Sequence, residues 1–424
     1  MSNRTINMAW QKKRKRAERR FRLYGQLALG VAVVILVALL FSIAQRGVPG
    51  FVKTYIQLPI TFNAASLELQ QGDSLDTLSP ARYNQLIRDS LLATFPEAKT
   101  RQEQRALFSL VSIGAGIQLK EVLEAEPSLL GKQRELWVLA SSNADLYFKG
   151  HIPKSLPETD RKLSNQQISW LDALRSKGVV RTGFSTAFFS QGDSRTPEQA
   201  GFKGAVIGSL LTLSICLLIV FPIGVMTAIY LEEFASRNRW TDIIEVNINN
   251  LAAVPSIVFG LLGLAVYINW MGLPRSASLV GGMTLALMVL PVVIISTRAA
   301  LQAVPTSIRN AARGLGASEL QVVLHHTFPL ALPGIMTGTI LGMARAIGET
   351  APLIMIGMVA FVADTPRGFT SAATVMPVQI YLWASSPETG FAEKTAAGIL
   401  VLLLILLVMN ALAIFLRKRY EIRW

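Results

Sequence analysis

The sequence predicts an all-α membrane protein with six transmembrane helices and a small α+β domain inserted between the first and second helix. Three observations lead to this fold class. Hydrophobic residues make up 51% of the 424 residues and charged residues only 16%, whereas an average soluble domain carries about 25% charged residues. Six stretches reach the roughly 20 apolar residues that a membrane helix needs. A long polar segment separates the first stretch from the other five.

Each apolar stretch is predicted to form one membrane-spanning helix, because a helix satisfies its own backbone hydrogen bonds in lipid. The first stretch is longer than the hydrophobic region of a signal peptide, which has about 7–15 residues, and no Ala-x-Ala-like site follows it. We therefore expect it to be retained as a helix. The predicted spans are 24–44, 204–230, 250–270, 279–297, 334–362 and 395–416.

Lysine and arginine residues predict the orientation of these spans. If the basic N-terminal segment 1–23 is cytoplasmic, the inner segments hold eighteen basic residues and the outer loops hold three. We therefore predict that both termini lie in the cytoplasm. The net charge of +14 follows from this placement beside the spans and does not indicate nucleic-acid binding.

Residues 45–200 form the polar segment and are too numerous for a connecting loop, so we predict a folded domain outside the membrane, before a transmembrane domain at 201–424. Helix starts are predicted by capping boxes and by a Ser-Pro step, and strands by apolar runs at 136–139 and 146–148. His151 is the only histidine of this segment, and it has no catalytic partners in the sequence. The helix-start signals are Ser79 with Pro80, Thr100 with Glu103, and Ser164 with Gln167.

Arg345 and Glu349 lie near the middle of the predicted fifth span. Charged side chains at that depth cost roughly 2.5–3.5 kcal/mol each, and a spacing of four residues lets them meet on one helix face. We favour a pathway for an anion, whose oxygens the guanidinium would bind through two parallel hydrogen bonds. The alternative is a structural ion pair that joins two helices. A stripe of small residues on the same helix predicts a closely packed neighbour; it consists of Gly334, Gly338, Gly342 and Ala346.

The inner loop 298–333 contains an amphipathic segment that is broken at Gly316 and ends at Pro329. Two short helices joined at this glycine would protrude and offer a docking element to a cytoplasmic partner. The alternative is a helix that lies on the membrane surface.

This loop resembles the EAA loop of ABC importer permeases. The residues that carry the resemblance keep the family spacing, although Asn310 stands where the family usually has glutamate. The segments 254–261 and 344–353 are similar to the phosphate-specific branch of the same family. The loop residues in question are Asn310, Ala311, Ala312, Gly316 and Pro329.

The resemblance implies the fold, the activity and the partners. It identifies Arg345 and Glu349 as charged pathway residues and Arg298 as a second pathway arginine. It further implies a bacterial inner-membrane subunit that imports phosphate, and a coupling loop that is seated in an ATPase. The implied partners are a homologous permease subunit, an ATP-binding cassette ATPase dimer and a periplasmic phosphate-binding protein. The chain itself would need no cofactor, since ATP would be bound by the ATPase.

Other functions are also compatible with parts of the sequence. A permease for another oxyanion fits the same residues, and an ion-coupled secondary transporter fits six spans with a buried Arg–Glu pair. Such carriers often contain internal repeats, and we find no convincing repeat. A sensor protein would not need five spans after its outer domain. An enzyme is the least compatible class, because no G-x-x-x-x-G-K-[ST] loop, H-E-x-x-H motif or cysteine cluster occurs.

Overall fold

The computed structural model describes residues 8–67 and 78–420. Parts of the two basic terminal segments, at 1–7 and 421–424, therefore lie outside the described residues. The first helix, α1, spans Met8–Gly47. A small α+β domain follows, and its elements in chain order are β1 (Val52–Thr61), α2 (Pro80–Thr94), α3 (Arg101–Phe108), α4 (Ala115–Ala125), β2 (Gln133–Leu139), α5 (Ser142–Phe148), α6 (Asn165–Ser176), β3 (Val180–Phe184) and α7 (Thr186–Ser190).

The second part of the chain is helical. It is interrupted by wider π-helical turns at Tyr230–Phe234, Leu264–Trp270 and Val322–Thr327. Its helices are α8 (Lys203–Ile229), α9 (Arg239–Ala252), α10 (Ser256–Gly263), α11 (Ser278–Gln302), α12 (Thr306–Gly314), α13 (Glu319–Gln321), α14 (Phe328–Gly348), α15 (Ala351–Met355), α16 (Met376–Ala384) and α17 (Gly390–Tyr420).

The inserted domain is built on a three-stranded antiparallel sheet with the order β2-β1-β3. β1 is central, and its alternate residues Ile56, Leu58 and Ile60 are buried against the helices, as expected for a sheet with one covered face. The predicted capping boxes at Thr100 and Ser164 are confirmed. The predicted helix start at Ser79 and the strand at 136–139 are also confirmed.

One predicted strand in this domain is wrong. Residues 146–148 belong to the helix α5, because a three-residue apolar run cannot distinguish a strand from one buried face of a short helix. The α5 residue Asp145 instead accepts hydrogen bonds from the Thr54 backbone N–H at 2.9 Å and from its hydroxyl at 2.6 Å. This contact fixes α5 against the central strand.

Five helices among the described residues are long and apolar enough to cross a membrane, and a bent pair brings the number of spans to six if it is counted as one. The bent pair is α9 with α10 and the following π turn, and its two halves differ in direction by 102°. The predicted third span at 250–270 crosses this bend and is therefore wrong as a straight helix. Pro255 lies at the bend, since proline cannot continue the backbone hydrogen bonds of α9.

The small-residue stripe of α14 packs against α11, as the spacing predicts. A Cβ atom built on Gly334 would lie 2.6 Å from the Ala300 Cβ, and one built on Gly342 would lie 2.7 Å from the Val289 Cγ1. The backbones of the two helices therefore approach closely, which allows the van der Waals contact that drives helix association in membranes. α8 also packs along α11, and the three helices contribute to the buried core of the bundle.

We predict that Gly338→Val destabilises the protein, because a Cβ atom at Gly338 would lie within 2.3 Å of the Ser296 Cβ. Overpacking of this kind typically costs about 1–3 kcal/mol, and the thermal unfolding midpoint in detergent should fall. The matched control is Gly30→Val on α1, where a Cβ atom meets nothing within 4 Å. Equal midpoints for the two variants would contradict the packing described.

Candidate functional site

The fifth span does not continue through the predicted charged pair. α14 ends at Gly348, Glu349 has an extended backbone (φ −78°, ψ 126°), and α15 begins two residues later with Pro352 in its first turn. The predicted span at 334–362 is therefore wrong as one helix. Proline fits the start of the new helix, where its missing N–H requires no partner, whereas in the interior of a continued α14 it would remove a backbone hydrogen bond.

This break lies within the bundle and not at its end. Gly342 of α14 contacts Val289, which is close to the middle of α11. Arg345 is three residues further along, or about 5 Å along the helix axis. Irregular backbone at membrane depth is tolerated only where it is buried in protein or lines a water-filled cavity. The break thus marks a surface that does not face lipid.

The predicted pair is formed, but loosely. The Arg345 Nε lies 3.5 Å from the Glu349 Oε1, and the exposed fractions of the two side chains are 48% and 20%. Several guanidinium donors therefore remain available on the surface of the single chain. Since an arginine directed into lipid is costly, this surface faces an aqueous pathway or a second protein chain.

Arg298 lies apart from this pair. It is on α11 near the C-terminal end, between the residues that contact Gly334 and Gly338, so it is about 13 Å along the axis from the level of Arg345. Its side chain is 21% exposed and contacts two carboxylates, Glu245 of α9 at 2.8 Å and Glu232 at 3.4 Å. The structure therefore brings Arg345 and Glu349 together and leaves Arg298 in a separate ion-pair cluster.

The predicted docking element is formed by α12, the turn at Gly316, and α13. Gly316 has a φ of +87°, a left-handed conformation that glycine adopts without steric cost. Asn310 and Ala311 are exposed on α12, whereas Ala312 is buried. Leu315 at the tip is 90% exposed.

A bidentate ion pair closes the turn of this element. Arg313 donates to both carboxylate oxygens of Glu319 at 2.9 Å, and the hydrogen bond with Glu319 raises the pKa of the Arg313 guanidinium. Arg313 also donates to the Asn310 side-chain oxygen at 3.3 Å. Pro329 lies behind the element, where it lines an apolar cavity of about 580 Å³ between α11, α12 and α14.

Arg309 anchors the docking element to the bundle, and our reading of the sequence missed this role. Its side chain is only 11% exposed and bonds Glu233 at 2.8 Å. It also donates to the backbone carbonyls of Leu301 at 2.8 Å and Val304 at 2.7 Å. The guanidinium is thus largely satisfied while buried, as a buried charge must be.

The glutamates that pair with Arg298 and Arg309 are neighbours in the one π turn that directly follows α8. Glu233 binds Arg309 of α12, and Glu232 accepts from Arg298 of α11 and from Gln302 at 2.9 Å. The sequence did contain one signal for this cluster, namely two adjacent glutamates at the end of an apolar span. Their partners could not be read from the sequence, because they lie 66 to 76 residues away.

Comparisons with known proteins give matches to both parts of the chain. Residues 220–422 match the family described as binding-protein-dependent transport system inner membrane component. Residues 9–158 match a domain of unknown function, DUF3333. A solved structure of the MetNI methionine ABC transporter in an inward-facing conformation is similar over 52% of this chain and 97% of that chain, with 16% identity and a TM-score of 0.42.

Curated relatives are more similar in sequence. The phosphate transport system permease protein PstA of Haemophilus influenzae is 32% identical over 240 residues, which cover 57% of this chain and 83% of that protein. The PstA protein of Yersinia pestis is 33% identical over 250 residues, which cover 58% of this chain and 82% of that protein. The chain is a multi-pass membrane protein, and it belongs to the PstA family of phosphate transport system permease proteins.

Proposed function

We propose that this chain is a membrane-spanning permease subunit of an ATP-driven importer that moves inorganic phosphate across the bacterial inner membrane. The break of α14 carries the proposal, because it leaves the Arg345 guanidinium exposed within the span. Phosphate oxygens match the planar fork of guanidinium donors. The Glu349 carboxylate, 3.5 Å away, keeps anion binding weak enough for release, which conduction requires.

Membership of the PstA family supports the substrate and the assembly. The importer would contain a homologous permease subunit, an ATPase dimer and a periplasmic phosphate-binding protein. The chain is a permease and not an enzyme; the ATPase binds the ATP, and the chain needs no cofactor. The bias of basic residues supports cytoplasmic termini, with the inserted domain on the periplasmic side.

Coupling to the ATPase runs through the docking element that includes Asn310, Ala311, Ala312 and Gly316. A displacement of α12 moves Glu233, because Glu233 is bonded to Arg309 of α12. The same π turn carries Glu232, which bonds Arg298 near the C-terminal end of α11. α11 packs along α14, which ends beside the Arg345 pair. A continuous set of ion pairs and packed helices thus connects the docking element to the Arg345 pair, and contiguous contacts of this kind can carry coupling between two sites.

We predict that Arg345→Gln lowers phosphate uptake by at least about tenfold, because hydrogen bonds to charged groups contribute about 1.5–3 kcal/mol. The measurement is uptake of radiolabelled phosphate by cells that carry the variant importer. Copurification of the ATPase should be unchanged, since the exposed Arg345 side chain supports little packing.

The control for this variant is Arg275→Gln, which removes an exposed arginine from a loop and should leave uptake normal. Normal uptake by Arg345→Gln would remove the pathway role.

The structural alternative, an ion pair that only joins two segments, has its own test. In this test Arg345→Glu is combined with Glu349→Arg, which exchanges the two charges. Restored uptake would indicate the structural ion pair, whereas a pathway arginine cannot be replaced in this way.

We predict that Glu233→Gln loosens α12, because breaking a buried ion pair costs about 3–5 kcal/mol. The loss corresponds to an increase of roughly a hundredfold or more in the opening equilibrium of α12. Amide hydrogen exchange of 306–314 in the purified importer measures this opening. Glu319→Gln is the matched control: it breaks an ion pair on the same element whose side chains are 42% and 57% exposed, and exchange should change little. Equal exchange in both variants would contradict the anchoring role of Arg309.

A further inference from the structure

Three phenylalanine rings form a row where the inserted domain joins the transmembrane helices. We call them the phenylalanine ladder: Phe51, Phe189 and Phe184. Phe51 stacks on Phe189 with ring centroids 5.7 Å apart, and Phe189 stacks on Phe184 at 5.8 Å, both with interplanar angles of 11°. Phe184 is 62% exposed and Phe189 is 49% exposed. Adjacent exposed rings of this kind mark a surface that contacts a membrane or another protein.

The height of the ladder relative to the spans follows from the chain path. Phe51 is four residues beyond Gly47, where α1 ends, and Phe184 is the register partner of Val52 at the first residue of β1. Gly47 in turn contacts the backbone of Ala396 on α17, where the predicted apolar part of that helix begins. The ladder thus lies just outside the ends of two apolar helices.

That position coincides with the headgroup layer. The hydrocarbon core of a bilayer is about 30 Å thick and the whole bilayer about 40–45 Å, so each headgroup layer measures about 5–7 Å. β1 runs for ten residues from the ladder, or about 33 Å, so its other end is distant from the helix ends that the ladder adjoins. The edge that carries the ladder is therefore the end of the sheet closest to lipid.

A buried clamp fixes this height. The Lys149 ammonium of α5 bonds Glu393 of α17 at 2.8 Å and also the backbone carbonyls of Pro49 at 2.9 Å and Val52 at 2.8 Å. Lys394 of α17 donates to the carbonyl of Gly50 at 2.9 Å. Because these groups are 90% or more buried, the inserted domain is held to the end of α17 and cannot lift the rings out of the interface without breaking the clamp.

We propose that the phenylalanine ladder is a membrane-seating surface, by which Phe184 and Phe189 insert into the outer boundary between headgroups and acyl chains. The surroundings favour lipid over a protein partner. The apolar window of α1 is exposed on every side, Val48 beside the ladder is 57% exposed, and the exposed Arg46 supplies a cation at the depth of lipid phosphates. Aromatic and aliphatic side chains on one face with basic residues nearby are typical of surfaces that lie in the membrane interface.

The chain offers a clean way to test this, because Cys216 is its only cysteine and is buried. In a Cys216→Ala background, Phe184→Cys and Phe189→Cys are labelled with a nitroxide in the assembled importer in phospholipid nanodiscs. Collision with oxygen, which concentrates in lipid, is compared with collision with a water-soluble nickel chelate. Two sites serve as controls: Leu36→Cys on α1, 54% exposed, and Leu130→Cys at the far end of the inserted domain, 40% exposed.

The proposal predicts that both ladder labels collide more with oxygen and less with the chelate than Leu130→Cys does, with values between those of Leu130→Cys and the mid-span Leu36→Cys. A label that reaches the chelate as readily as Leu130→Cys would overturn it. A label that is immobilised and shielded from both reagents would also overturn it, because a protein partner would then cover the ladder. Phe184→Cys replaces the more exposed of the two rings. Loss of folding in either variant is detected separately, because the variant chain would then fail to copurify with the assembled importer. These outcomes do not depend on which solute the importer carries.

Discussion

Two neighbouring glutamates hold one end of the transmembrane domain together. Glu232 and Glu233 occupy one π turn, and through Arg298 and Arg309 they join α8 to α11 and α12. A third carboxylate, Glu245, ties α9 to the same cluster. Because an unpaired charge in this environment is costly, the four helices cannot separate at this end without finding new partners. The docking element is therefore mechanically part of the bundle, while its tip remains exposed for a partner.

Much of the fold could be predicted because membranes restrict backbone structure so strongly. The apolar stretches located the helices, and the stripe at Gly334, Gly338 and Gly342 located the contact with α11. The breaks in the third and fifth spans lie at Pro255 and Pro352, but proline alone does not locate a break, because Pro222 and Pro291 stand inside the continuous helices α8 and α11. In the inserted domain, β1 and β3 were missed, since their pairing partners are up to 132 residues away in the chain.

The candidate site was predictable to the extent that it is local. Arg345 and Glu349 are four residues apart, and the turn at Gly316 follows from a short segment, so both could be inferred from spacing. Arg309 was passed over because an arginine on an amphipathic inner loop resembles a solvent-exposed residue until its burial is known. Arg298 was assigned to the pathway by resemblance alone, and its contacts with Glu232 and Glu245 join it to the ion pairs that follow α8. Long-range ion pairs of this kind leave no spacing signal.

The central claim is that phosphate crosses through this chain only when ATP hydrolysis drives the docking element. The most direct test reconstitutes the purified importer in proteoliposomes, adds phosphate-loaded binding protein outside, and encloses either ATP or a non-hydrolysable analogue. Radiolabelled phosphate should accumulate against its gradient only with ATP, and accumulation should stop when ATP is exhausted. Equal accumulation with the analogue, or accumulation driven by an ion gradient alone, would contradict it.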